Sequence, residues 1–160
     1  MYRDENHATA RRTTLRRSCV SNYAQGLRSF FITDDNFARN KHWEAILDRL
    51  IHLRQVEKFH IGFIIQVDTL CYKLPNFVQK CALAGVRRVF IGLENINPDN
   101  LIGAKKRQNK ITEYREMLLA WKSARVITYA GYILGFPNDT EDSILRECPT
   151  GIIGNKSADL

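Results

Sequence analysis

Beyond Asn22 the chain alternates between short apolar runs and longer stretches whose apolar residues recur every three or four positions. Four runs stand out: Ser29–Thr33, Gly62–Val67, Arg88–Leu93 and Ile127–Leu134. They are rich in Phe, Ile and Val and do not alternate strictly with polar residues. That is the pattern of parallel strands covered on both faces. The stretches between them predict helices. After Asn40, a natural cap, Trp43, Ile46, Leu47, Leu50 and Ile51 fall at i, i+3, i+4, i+7 and i+8, one apolar stripe. Pro75 suits the first turn of a second helix and Gly85 stops it. Asn97-Pro98-Asp99 opens a short third. Thr112 caps a fourth that turns Tyr114, Met117, Leu118 and Trp121 inward. Thr140 caps a fifth, which Pro149 ends.

Strand followed by helix, repeated, requires right-handed crossovers and a parallel sheet. The α/β class follows, as a barrel or as an open doubly wound sheet. An eight-stranded barrel needs ~250 residues, and this chain has 160. The expected architecture is an incomplete parallel (β/α) barrel of about four strands with helices outside. Residues 1–21 read as an irregular basic segment, 22–146 as the partial barrel and 147–160 as an irregular tail. Open sheet edges on both sides make self-association an expectation.

Composition narrows the function classes. No apolar stretch approaches the ~18 residues of a bilayer span, and MYRDENHATARR holds no apolar signal core. No membrane span and a cytoplasmic location are the default expectations. Cys19, Cys71, Cys81 and Cys148 form no CxxC or CxxxC, so no local metal knuckle is legible, and reduced, partly buried thiols are expected. The net charge of +7 comes partly from Arg3, Arg11, Arg12, Arg16, Arg17 and Arg28, and from Lys105, Lys106, Arg107 and Lys110. A nucleic-acid-binding module is therefore an alternative. No aromatic residues interleave with these charges as a stacking platform requires, so nucleic acid is not the expected partner. His7, His42, His52 and His60 end no strand, and GxSxG, HExxH and P-loop motifs are absent.

The candidate chemistry sits where the apolar runs stop. The first run leads into Asp34 and Asp35, the second into Asp68, and the third into Glu94. In parallel α/β folds the C-terminal strand ends form the ligand face. Acids there could bind an amine, ribose hydroxyls or a cation. A small metal-dependent enzyme holding Mg²⁺ or Mn²⁺ on Asp34, Asp68 and Glu94 is a second alternative. Each acid could equally be a turn former or helix cap, Asp35 above all. The fourth run carries Gly131, Ile133 and Gly135, and glycine within a strand marks close approach by a ligand or another backbone.

The segments FFITDDNF, QVDTL, RRVFIGLENINPDNL and GYILGFPNDTEDS, in this order, resemble radical S-adenosylmethionine enzymes. The resemblance runs from about Asn22 to Ile144 and is nearest to the branch with an N-terminal cobalamin-binding domain. It implies a partial (β/α)₆ barrel and a [4Fe–4S] cluster on CxxxCxxC. It also implies S-adenosylmethionine as the cofactor cleaved to a 5′-deoxyadenosyl radical, an unidentified small-molecule substrate, and cobalamin in a full-length parent. By that resemblance, Ser29–Thr33 is the family's second strand, and Asp34 and Asp35 meet the methionine amine. Glu94 lies near the methionine and ribose. Gly131, Ile133 and Gly135 pack on adenine, and Asp68 faces cofactor or substrate. The sequence departs from the family in holding no CxxxCxxC, which Cys19 does not supply, and LRECPTGIIGNKSADL does not look like family sequence. Both ends thus read as truncated, and the expectation is a barrel fragment inactive by itself, because a thiolate-ligated cluster needs its ligands.

Overall fold

The computed structural model describes residues 15–105 and 109–147. The charges at Arg3, Arg11, Arg12, Lys106 and Arg107, Cys148, the stop at Pro149 and the tail from 148 onward lie outside the described residues.

Residues 15–24 form a helix, α1. The elements that follow are β1 (Ser29–Phe31), a 3₁₀ turn (Phe37–Arg39), α2 (Trp43–Gln55), β2 (Gly62–Val67), a second 3₁₀ turn (Cys71–Lys73) and α3 (Phe77–Ala84). Then come β3 (Val86–Glu94), α4 (Pro98–Gly103), α5 (Ile111–Ser123), β4 (Ile127–Tyr132) and α6 (Glu141–Glu147). All strand pairs are parallel and the order is β1-β2-β3-β4. A doubly wound sheet reverses its strand order at a switch point. This sheet advances in one direction, as the wall of a barrel does.

The two central strands, β2 and β3, are buried on one face. Phe63, Ile65 and Val67 of β2 and Val89, Ile91 and Leu93 of β3 are buried and share a core with Leu47, Leu50, Phe77, Met117 and Trp121. Burying each such aliphatic or aromatic side chain contributes about 1.5–3 kcal/mol. The rings lock together: Trp43 and Phe77 meet edge to face at 5.0 Å, and Phe77 and Trp121 at 6.2 Å. The opposite face departs from the expectation of strands covered on both sides. Phe31, Phe90, Ile127 and Tyr129 stay exposed there. Apolar residues on both faces are still what a barrel wall requires, because its second face is the lumen.

The element boundaries correct the sequence reading in detail. Asn40 does not cap α2; it lies two residues before the cap residue His42, from whose N–H its Oδ1 accepts at 2.9 Å. Pro75 lies before α3, whose cap is Asn76, and Thr112 is already inside α5. Asn97 and Thr140 do act as caps, accepting from the N–H groups of Asp99 and Ser143. The helix at 15–24 arises within the segment read as irregular. Leu15, Cys19 and Tyr23 recur every four residues, a stripe too sparse to stand out, and all three join the core. Several basic side chains are paired, Arg16 and Arg49 with Glu57, Lys73 with Glu113, and Lys80 with Glu44 and Asp48. No described helix is long and apolar enough to cross a membrane.

Gly85 joins α3 to β3 with φ +97°, and a Cβ there would meet the Ile61 carbonyl oxygen at 2.6 Å. Its own carbonyl accepts from Phe63, which starts the β2–β3 ladder. Gly85→Ala is expected to cost about 1–3 kcal/mol in denaturant unfolding. Gly103→Ala, in open space at the end of α4, is expected to be neutral or to stabilise by up to about 1 kcal/mol. Equal effects of the two substitutions would contradict this account.

Candidate functional site

A cleft of about 340 Å³ opens at the C-terminal ends of the strands. The loop after β1 contributes Asp35, Asn36 and Arg39; β2 and its end contribute Gln66 and Asp68. Phe90, Gly92 and Glu94 come from β3, and Asn109 from the approach to α5.

Asp68 is held from three sides. Arg39 Nε donates to its Oδ2 at 2.7 Å, Asn36 Nδ2 donates to the same oxygen at 3.0 Å, and the Leu70 N–H donates to Oδ1 at 3.0 Å. Arg39 is largely exposed, so the ion pair itself contributes roughly 0–1 kcal/mol. Its role is to orient the carboxylate. Asp34 turns its carboxylate into its own loop, accepting from the Asn36 N–H at 3.1 Å and from Asn40 Nδ2 at 2.7 Å. It does not line the cleft, whereas Asp35 beside it does.

Glu94 ends β3 with φ +67°, a region costly for a residue with a side chain. Its carboxylate lies over Gly92, where a Cβ would meet Oε1 at 2.6 Å. Gly92 is in register with Gly131 of β4. A Cβ on Gly131 would meet the Phe90 ring at 2.8 Å. Two neighbouring glycines thus leave a flat backbone floor, with the Glu94 carboxylate over one and the Phe90 ring against the other. The floor is fixed by Asn109, whose Nδ2 donates to the carbonyls of Gly92 at 3.0 Å and Leu93 at 2.9 Å. Tyr114 Oη also donates to Leu93, at 2.8 Å. Burial pushes the Tyr114 phenol up to about 12, so it stays a donor near neutral pH.

The candidate residues therefore divide. Asp35, Asp68 and Glu94 share the cleft, and Gly131 borders its floor. Ile133 and Gly135 lie past the end of β4, outside the cleft lining. Sequence reasoning missed Asn36, Arg39, Gln66, Phe90, Gly92 and Asn109. Gly92 carried a signal, a glycine two residues before a strand-end acid. Asn109 carried none, because nothing in a polar stretch says which strand it will brace.

Among the described residues no three His, Cys, Asp or Glu side chains gather to hold a metal. Asp34, Asp68 and Glu94 therefore make no divalent-cation site. The thiols do not fit an iron–sulfur cluster either. Cys19, Cys71 and Cys81 are buried, and burial raises all three thiols, Cys71 to about 12. Cluster ligation needs thiolates at an accessible site.

The geometry defines a class first: a parallel barrel wall, in part, with an acidic, glycine-floored rim. No family model matches the chain. Over 122 residues it is 28% identical to the hopanoid C-2 methylase of Rhodopseudomonas palustris, covering 74% of this chain and 23% of that protein. Two structures of the radical S-adenosylmethionine methyltransferase TsrM from Kitasatospora setae share the fold at 20% identity. One has cobalamin and a [4Fe–4S] cluster bound (TM-score 0.65, over 80% of this chain and 26% of that one). The other has tryptophan substrate and the analogue aza-SAM bound (TM-score 0.66, over 81% and 25%). The chain spans about a quarter of the length of these relatives. The comparisons thus show that the chain shares its fold with part of a radical S-adenosylmethionine methyltransferase and is similar in sequence to part of the hopanoid C-2 methylase.

The burial of the thiols has a measurable consequence. At pH 8 a thiol-reactive dye is expected to modify Cys71 and Cys81 at least about tenfold more slowly in the folded chain than in urea, since the thiolate is the reactive form. Stability should also be full below about pH 8.5 and decline as pH rises toward 12, because the unfolded thiol ionises first. Rapid labelling of both in the native chain would contradict the assignment.

Proposed function

We propose that this chain is the S-adenosylmethionine-binding wall of a radical S-adenosylmethionine enzyme. The parent, like its relatives, would methylate a small-molecule substrate. The observation that carries the reading is the pairing of a carboxylate rim with a glycine floor at the strand ends. S-adenosylmethionine brings a sulfonium and an amine, both cationic, beside a ribose with two hydroxyls and a flat ring. Carboxylates complement the first three, and a backbone without side chains admits the last.

In this reading Glu94 accepts from the ribose hydroxyls or the amine, and Asp35 faces the amine. Asp68, already oriented by Arg39 and Asn36, lines the path between cofactor and substrate. The backbone at Gly131 and the segment through Ile133 and Gly135 border the adenine. When bound beside a reduced cluster, S-adenosylmethionine supplies the family's radical chemistry. The described thiols do not suit that cluster, so no step through it is assigned to these residues. The 160 residues alone are proposed to be inactive in cleavage.

The test is calorimetric titration of the purified chain with S-adenosylmethionine. Glu94→Gln and Asp68→Asn should each weaken binding by roughly tenfold or more, the worth of one charge-assisted hydrogen bond, while Glu44→Gln on the helical side leaves it unchanged. After treatment with iron and sulfide the chain should neither keep a cluster nor cleave the cofactor. Absence of binding, or binding indifferent to Glu94 and Asp68, would sink the proposal.

A further inference from the structure

Beyond the cleft, three polar side chains join segments far apart in sequence. Asn95, immediately after Glu94, is fully buried. Its Nδ2 donates to the Ile133 carbonyl at 3.2 Å, and its Oδ1 accepts from the Asn97 N–H at 2.6 Å and from Asn100 Nδ2 at 3.3 Å. Asn100, on α4 and 1% exposed, also donates to Asp139 Oδ1 at 2.5 Å. The other Asp139 oxygen accepts from the N–H groups of Gly135 and Phe136, both at 2.8 Å. The circuit closes where the Ile133 N–H donates to the Glu94 carbonyl at 2.7 Å. The four residues after β4 are thereby tied to the end of β3 at Ile133 and to α4 at Gly135 and Phe136.

Part of this circuit is ordinary turn chemistry. Asp139 braces a local turn, and Asn97 caps α4. Asn100 has no such local role. Asparagine is a poor helix former, and a leucine would suit a site this buried. Its Oδ1 finds no partner among the described residues, a cost that stability alone does not explain. What Asn100 does accomplish is a bond across 39 residues of sequence to the carboxylate that holds the Gly135 turn.

We infer that Asn95, Asn100 and Asp139 are positioning residues: they latch the Ile133–Phe136 segment to the end of β3 and thereby set affinity for the adenosine half of the cofactor. The inference rests on the cofactor reading above and adds to it a specific division of labour. The rim acids serve the methionine amine and the ribose hydroxyls, while the latch serves the adenine.

The experiment uses the full chain and two probes, 5′-methylthioadenosine and L-methionine, with hydrogen–deuterium exchange as a readout that needs no ligand. Asp139→Ala and Asn100→Ala should each speed amide exchange at Ile133, Gly135 and Phe136 while leaving β2 and β3 protected. Each should raise the dissociation constant for 5′-methylthioadenosine about tenfold and leave that for methionine within about twofold. The double variant should be no worse than the more damaging single one, since both break one circuit. Asp139 lies near the surface, so its variant keeps the fold should Asn100→Ala lose it. Unchanged exchange at those amides would overturn the latch. So would faster exchange with unaltered adenosine binding, or equal weakening of both probes. A wild-type chain that binds neither probe overturns the cofactor reading, and the latch with it.

Discussion

The structure depends on β3. It is the longest strand, nine residues, and it pairs with β2 on one side and β4 on the other. Its buried side chains, Val86, Val89, Ile91 and Leu93, anchor the sheet to the helical layer. Its register shifts at both ends, against β2 near its start and against β4 near Glu94. The first shift leaves Arg87 unpaired between Val86 and Arg88, just after the chain turns out of α3 at Gly85. The second falls where Glu94, still paired with Tyr132, takes a left-handed conformation, and its side chain falls back over Gly92. The central pairing therefore both holds the fold together and aims the acid of the cleft.

The rim is built by a second economy: polar side chains finish what the ladder leaves undone. Parallel strands end with carbonyls pointing past the sheet, and buried carbonyls need donors. Asn109 and Tyr114 serve Gly92 and Leu93, and Asn95 serves Ile133. Asp68 and Asp34 accept from loop donors. The acids thus have structural partners as well as a chemical face. Only Asp35, Asp68 and Glu94 reach the cleft; Asp34, adjacent in sequence, is occupied in its loop.

The cysteines make the same point by contrast. In sequence their spacing offers no metal knuckle, and reduced, partly buried thiols are the expectation. In the structure Cys71 and Cys81 sit in the core beside the aromatic cluster and take the role of small apolar residues. Burial, and not spacing alone, removes them from metal chemistry.

The order of strands and helices after α1, the parallel sheet and the strand-end positions of Asp35, Asp68 and Glu94 were legible in the sequence, whereas α1 was not. Hydrophobic periodicity reports which residues face a core, and it reports so strand by strand. The sequence could not say that Asp34 folds back onto Asn36 and Asn40, that Gly92 meets Gly131, or that Asn100 reaches Asp139. Those facts follow from register and packing between segments up to 39 residues apart, and a local pattern carries no information about distant partners. Periodicity thus determined the wall of the barrel, and the tertiary pairing of β3 with β4 decided what stands at its rim.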